Sequence, residues 1–239
     1  MDRFFSAAVM VALLFASQLS AQPPQRRPAK QKYEVSIFGG WASLGDRSFV
    51  TAADDGSVNT VGVDFESGPA FALRVTDNFS QHLGAELEYA FSGHDSSFTN
   101  LAPMVPLLEV KQRLHKFTYS AVIYPTDRRG HIRPFAIVGV GATYFQSSTD
   151  QDELALSNGI DLQSRWKLAY TYGGGVKFMM GQQWALRVDV RNQVSTVPDY
   201  GLPRQALTTD GVMGPALRPE GFYQNWQVGA GFTYLLRDR

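Results

Sequence analysis

The chain has 239 residues, enough for one large or two small domains, and its 22 Lys and Arg are balanced by 22 Asp and Glu. The zero net charge argues against a nucleic-acid binder, which shows a basic surplus. The absence of cysteine excludes thiol nucleophiles, disulfides and cysteine-ligated metals.

The first residues read as an export signal. Arg3 precedes the uncharged apolar run FFSAAVMVALLFAS (Phe4 to Ser17), and LSAQ (Leu19 to Gln22) offers the small residue Ala21 for cleavage. The run is shorter than the roughly 20 residues that a membrane-spanning helix needs. Residues 1–21 are therefore set apart as a signal peptide. Residues 22–32, QPPQRRPAKQK, are Pro-rich and basic without apolar periodicity, and read as a flexible periplasmic leader.

Eight alternating segments follow over residues 33–235: 33–43, 68–76, 82–92, 114–124, 132–145, 166–179, 184–194 and 222–235. A short tail, 236–239, remains. Each segment is rich in β-branched and aromatic residues, and turn residues separate them. The connections alternate in length: 44–67, 93–113, 146–165 and 195–221 are long, whereas 77–81, 125–131 and 180–183 are short. With antiparallel neighbours, all long loops fall at one end, and the short turns and both termini at the other. Segments of 9–14 residues exceed the usual strand of soluble sheets and match a tilted membrane strand. The expected fold is all-β: a closed antiparallel eight-stranded transmembrane β-barrel with long extracellular loops and short periplasmic turns.

Parity sorts the side chains. In WALRVDVR, Trp184, Leu186, Val188 and Val190 share one face, and Arg187, Asp189 and Arg191 share the other. Extended over the chain, the polar face collects Glu34, Arg74, Glu86, Glu88, Lys116, Lys167, Lys177, Arg187, Asp189 and Arg191, interleaved with glycines such as Gly40, Gly173, Gly229 and Gly231. Opposite charges can pair there, and glycine makes room for long neighbours. No charge interrupts the other face. Its aromatics gather at two levels: Tyr33, Phe178, Trp184 and Tyr234 near the turn end, and Trp41, Phe91, Tyr144, Tyr170 and Trp226 near the loop end. Two such belts suit the two headgroup levels of a bilayer. The apolar face is thus expected to meet lipid, and the charges to form a network inside. A soluble periplasmic ligand-binding barrel is the reading with parity inverted. Pro134, Gly139 and Gly141 blur the parity of the fifth segment.

The motifs RPFAIVGVGATYF, YTYGGGVKF, WALRVDVR and VGAGFTYLL resemble the strand motifs of the eight-stranded outer-membrane β-barrel family, which includes OmpA-like transmembrane domains and opacity-type surface proteins. The resemblance covers about residues 33–235, and its specificity lies in the order and spacing of the motifs. It implies a cell outer-membrane location in a Gram-negative bacterium and insertion by the barrel-assembly machinery. Many members end on an aromatic residue; this chain places Tyr234 near the end and adds LLRDR. No peptidoglycan-binding domain follows in this sequence, so an anchoring role is not implied.

Function is less legible. The four long loops carry 6 Lys or Arg against 14 Asp or Glu, a net of −8. This is a solvated acidic surface, or one bridged by divalent cations to lipopolysaccharide phosphates. Some barrels that resemble this one modify lipid A and need a base beside a hydroxyl and an orienting carboxylate. SGHDSS (Ser92 to Ser97) places His94, Asp95 and Ser96 together, but neighbours on a strand point apart, so they make no triad. DQDELALSNGID (Asp150 to Asp161) lacks the spacing of an EF-hand loop. The loop 195–221 has no phosphate-cradle motif, and its Pro and Gly suit an exposed, variable connection. No catalytic residue, cofactor or metal is assigned. The expected role is a structural or surface-interaction barrel and a monomer, with outer-membrane lipids and lipopolysaccharide as partners and the extracellular ligand unknown. A lipid A-modifying enzyme and a narrow channel or carrier for small solutes are the alternatives.

Overall fold

The computed structural model of the chain describes residues 31–45, 47–52, 58–102, 105–126, 130–148, 160, 163–198, 200, 202, 208–209, 212–213 and 221–237. The expected signal peptide, the leader to residue 30 and most of 149–162 lie outside them. The strands are β1 (Gln31–Leu44), β2 (Arg47–Ala52), β3 (Val58–Phe65), β4 (Gly68–Asp77), β5 (Leu83–Ala102) and β6 (Val105–Ile123). They continue with β7 (Ile132–Ser148), β8 (Arg165–Met179), β9 (Trp184–Thr196), the short pair β10 (Thr208–Thr209) and β11 (Val212–Met213), and β12 (Phe222–Arg237).

Eight of these form the wall, in the order β1, β4, β5, β6, β7, β8, β9, β12, every neighbour antiparallel. The pairing of β12 with β1, from Gln31 opposite Arg237 to Leu44 opposite Asn225, closes the ring. Closure leaves no unpaired wall edge, as lipid requires.

Two expected loops are not loops. Residues 93–102 and 105–113 continue the ladder of β5 and β6, which pair from Leu83 opposite Ile123 up to Ala102 opposite Val105. Within 44–67, β2 and β3 form a hairpin, and β3 pairs with the upper part of β5 from Gly62 opposite Thr99 to Phe65 opposite Ser96. The alternation persists through these extensions, but its polarity reverses. In the lower wall Leu73, Leu87 and Tyr119 point out while Arg74, Glu86 and Thr118 are buried; above it Asp95, Glu109 and Lys111 point out while Phe98, Leu108 and Val110 are buried. Above the membrane the barrel is surrounded by water, so its polar face turns outward like that of a soluble barrel.

The fifth segment keeps its parity. Arg133, Phe135, Ile137, Thr143 and Phe145 of β7 are buried, and Val138 and Val140 face out. Glycine is required at some inward positions: a Cβ at Gly229 would run into the Gly39 carbonyl oxygen, and would meet Gly40 Cα at 2.6 Å and the Phe38 ring at 2.7 Å. Gly229 therefore lets β12 and β1 approach closely beside the Phe38 ring, and the Arg74 guanidinium lies over that same ring, 4.2 Å from its centre.

Candidate functional site

The fold turns the inside of the wall into a filled column. Ile37 is 70% exposed and Leu168 65%, whereas Arg74 and Arg187 are fully buried, so the hydrophobic order of a soluble core is inverted. Among the described residues, six cationic side chains (Arg74, Lys116, Arg133, Lys177, Arg187, Arg191) and four carboxylates (Glu34, Glu86, Glu88, Asp189) are buried.

Their contacts form tiers. Nearest the turn end, Lys177 donates to Glu34, to which Asn78 Nδ2 also donates at 2.8 Å, and to Tyr124 Oη at 2.9 Å. In the middle, Glu86 accepts from Arg187 Nη1 at 2.6 Å, from Arg191 Nη2 at 2.7 Å and from Thr76 Oγ1 at 2.9 Å. Asp189 accepts from Arg74 Nη1 and from Arg187 Nε, each at 2.8 Å. Glu88 pairs with Arg74, and with Arg191 Nη1 at 2.9 Å. Glu88 and Asp189 are each shared by cations from β4 and β9, and Glu86 of β5 holds two from β9, so the network ties the walls together. Lys116 differs: its Nζ donates to Asn225 Oδ1 and Gln227 Oε1, both at 3.2 Å. Lys167 is half-buried opposite Thr143. Arg133, buried at the start of β7, was absent from the sequence-derived network, because Pro134 and the glycines of its segment blur the parity there.

Above the charges lies an apolar plug that includes Phe49, Val63, Phe98, Leu108, Phe145 and Tyr223. Val197, Tyr200 and Leu202 of the fourth long loop belong to it, so this part of the loop is buried rather than exposed. Tyr200 pins the loop: Gln112 Nε2 donates to its hydroxyl at 2.9 Å, its carbonyl accepts from the Gln163 N–H at 2.7 Å, and its ring meets Phe98 edge-on at 5.5 Å. Burial pushes the Tyr200 phenol up to about 12, which keeps it neutral at this buried position.

On the outer wall Tyr33, Trp41, Tyr170, Trp184 and Trp226 are exposed, and Phe91, Tyr144, Phe178 and Tyr234 are half-covered by their neighbours. Trp184 packs on Tyr234 at 4.9 Å at the turn end, and Tyr144 on Trp166 at 4.9 Å at the loop end. The upper belt also holds His115, whose Nδ1 is 2.9 Å from Tyr89 Oη and whose ring packs among Tyr89, Phe91 and Tyr144. Parity alone does not single out a histidine as part of an aromatic belt.

His94 sits above this belt. Its Nε2 is 3.1 Å from Ser92 Oγ and its Nδ1 is 3.1 Å from the Glu66 backbone carbonyl. Burial pushes the imidazole down to about 4, so it is neutral at physiological pH. Asp95 and Ser96 do not join it: Asp95 is exposed, and Ser96 Oγ donates to the Val110 carbonyl. Among the described residues no histidine bonds both a hydroxyl and a carboxylate, and none forms a metal-binding cluster. Replacing His94 by alanine is expected to leave lipid A composition unchanged by mass spectrometry; an altered acylation pattern would reopen the enzymatic reading.

A continuous antiparallel ring with an apolar outside and a charged inside defines a β-barrel membrane protein. The chain belongs to the outer membrane protein beta-barrel domain family, whose model matches residues 7–234, and it is a bacterial outer-membrane protein. Among solved structures it is similar to OprG of Pseudomonas aeruginosa, at 18% identity and a TM-score of 0.57, over 87% of this chain and 97% of that one. It is also similar to Neisserial surface protein A, at 10% identity and a TM-score of 0.51, over 88% of this chain and 100% of that one. A third is AlkL, at 14% identity and a TM-score of 0.50, over 92% of this chain and 97% of that one. At these identities the likeness is one of fold. No curated protein sequence matches the chain.

Proposed function

We propose that this protein is a sealed structural and surface-interaction barrel, whose work is done by its outer wall and by the strands that rise above the membrane. The observation that carries this reading is the double closure of the interior. Buried ion pairs join Glu86, Glu88 and Asp189 to three arginines, and the apolar plug covers the column above them. An eight-stranded ring is just wide enough for its own side chains. A cleft of about 270 Å³ lies at the break between β3 and β4 and is lined by Glu66, Asp95, Ser97, Glu109 and Lys111 among others. Its acidic lining does not suit a carrier for apolar solutes. The extended β5–β6 hairpin, with β2 and β3 alongside, gives a rigid sheet surface outside the cell on which contacts can be built.

Planar-bilayer recording of the purified barrel tests the closure. Only small, rare openings are expected. Large steady channels would overturn the sealed reading.

A further inference from the structure

The outer face of the β5–β6–β7 wall carries a feature that closure does not require. Arg113 of β6 points outward and is exposed, and among the described residues it has no ion-pair or hydrogen-bond partner. Its register partner on β5 is Gly93, where an added Cβ would meet nothing within 4 Å, so the space beside the guanidinium is an open notch. On the other side its partner on β7 is Gln146, exposed and uncharged.

The height of this notch decides what it can meet. Arg113 lies ten residues above Ile123, the lower end of β6. At about 3.3 Å per residue and a tilt of about 40°, that is roughly 25 Å, the height of the apolar band of an outer-membrane barrel. Directly below, His115 and Tyr144 form the top of the aromatic belt, and Phe117 continues the apolar wall. Two residues above, Lys111 stands opposite Asp95, and the acidic cleft begins. A phosphate is thus attracted at Arg113 and repelled by Asp95 and Glu109 just above it.

We propose that this notch binds the phosphorylated headgroup of an outer-leaflet glycolipid, with Arg113 as the main phosphate ligand, Lys111 as a secondary one, and the acyl chains lying on the wall below His115. This rests on the reading of the outer wall as an interaction surface. A soluble polyanion shares the phosphate chemistry but has nothing to lay on the aromatic wall, which favours the lipid source. A planar guanidinium suits phosphate bidentately, so lysine is not an equivalent replacement.

The test uses the full chain in nanodiscs that mix phosphatidylcholine with either diphosphorylated lipid A or its dephosphorylated form, read by native mass spectrometry. The wild type is expected to retain the phosphorylated lipid selectively. Arg113→Gln and Lys111→Gln are each expected to weaken retention, by about fivefold per charge removed. Gly93→Val, which fills the notch with a side chain whose Cβ meets nothing within 4 Å and leaves both charges in place, should weaken it as well. A heat-dependent gel shift checks that each variant is folded. Equal retention of the two lipids, or unchanged retention by folded Arg113→Gln, overturns the proposal. Full displacement by millimolar inorganic phosphate assigns the site to a free anion and overturns it also. Bilayer conductance is measured separately, so an open channel would fail the sealed reading without touching this result.

Discussion

Replacing Glu86 by alanine is expected to destabilise the barrel by about 3–5 kcal/mol, because it leaves buried arginines without their partner. Glu86 sits between Arg187 and Arg191, 2.6 and 2.7 Å from them, with side chains at most 3% exposed. Asp189 remains, but it already serves Arg74 and Arg187. The loss therefore falls on charges with no route to water. The measurement is urea unfolding in lipid vesicles, scored by the fraction that migrates as the folded band without boiling. Glu66→Ala, at an exposed side chain, is the comparison and should stay within about 0.5 kcal/mol. A Glu86 variant within about 1 kcal/mol of wild type would mean that the interior is wet enough to hydrate the orphaned arginines, and the network would lose its structural role.

Val188→Arg is the complementary case, on the outer face of β9 between the buried Arg187 and Asp189. Val188 is 41% exposed and lies midway between Trp184 near the turns and Asn192 opposite Trp226 near the loops. Its register neighbours are Val176 and Ala230, so its surroundings are wholly apolar. In water, an arginine at a half-exposed position facing small neighbours would cost almost nothing. At the bilayer midplane it is expected to cost about 2–4 kcal/mol. The same vesicle assay reads it. A neutral result would place the outer wall in water and return the soluble-barrel reading. The two variants together test the polarity of the wall from both sides, since an acid is essential at Glu86 inside and a cation is rejected at Val188 outside.

The wall was legible in the sequence because its period is two and its faces differ in kind. WALRVDVR separates Trp184, Leu186 and Val188 from Arg187, Asp189 and Arg191 with no exception, and β9 buries the second set and exposes most of the first. The upper half was less legible for a physical reason. Above Phe91 and His115 the solvent changes from lipid to water, so the apolar stripe moves from the odd to the even positions of β5 and β6, to Phe98, Leu108 and Val110. A shift of phase in an alternating pattern looks like the end of a strand, and the extensions read as loops. Arg133 was hidden for another reason: Pro134, Gly139 and Gly141 interrupt the alternation of its segment, so its face could not be read.

Alternation, strand length and the long–short rhythm of the connections by themselves determined a closed antiparallel barrel, because lipid admits no other β solution. They also placed Glu34, Arg74, Glu86, Glu88, Lys116, Lys177, Arg187, Asp189 and Arg191 on a single face. Which of these pair is a matter of distances across a closed ring, and the tertiary structure alone decided it. Glu86 meets Arg187 and Arg191 from across the chain, whereas Lys116 meets the amides of Asn225 and Gln227. Pairing across a barrel depends on shear and on the length of each side chain, and neither is written in local periodicity. The same holds for the notch beside Arg113: only the register of β5 against β6 sets Gly93 opposite it.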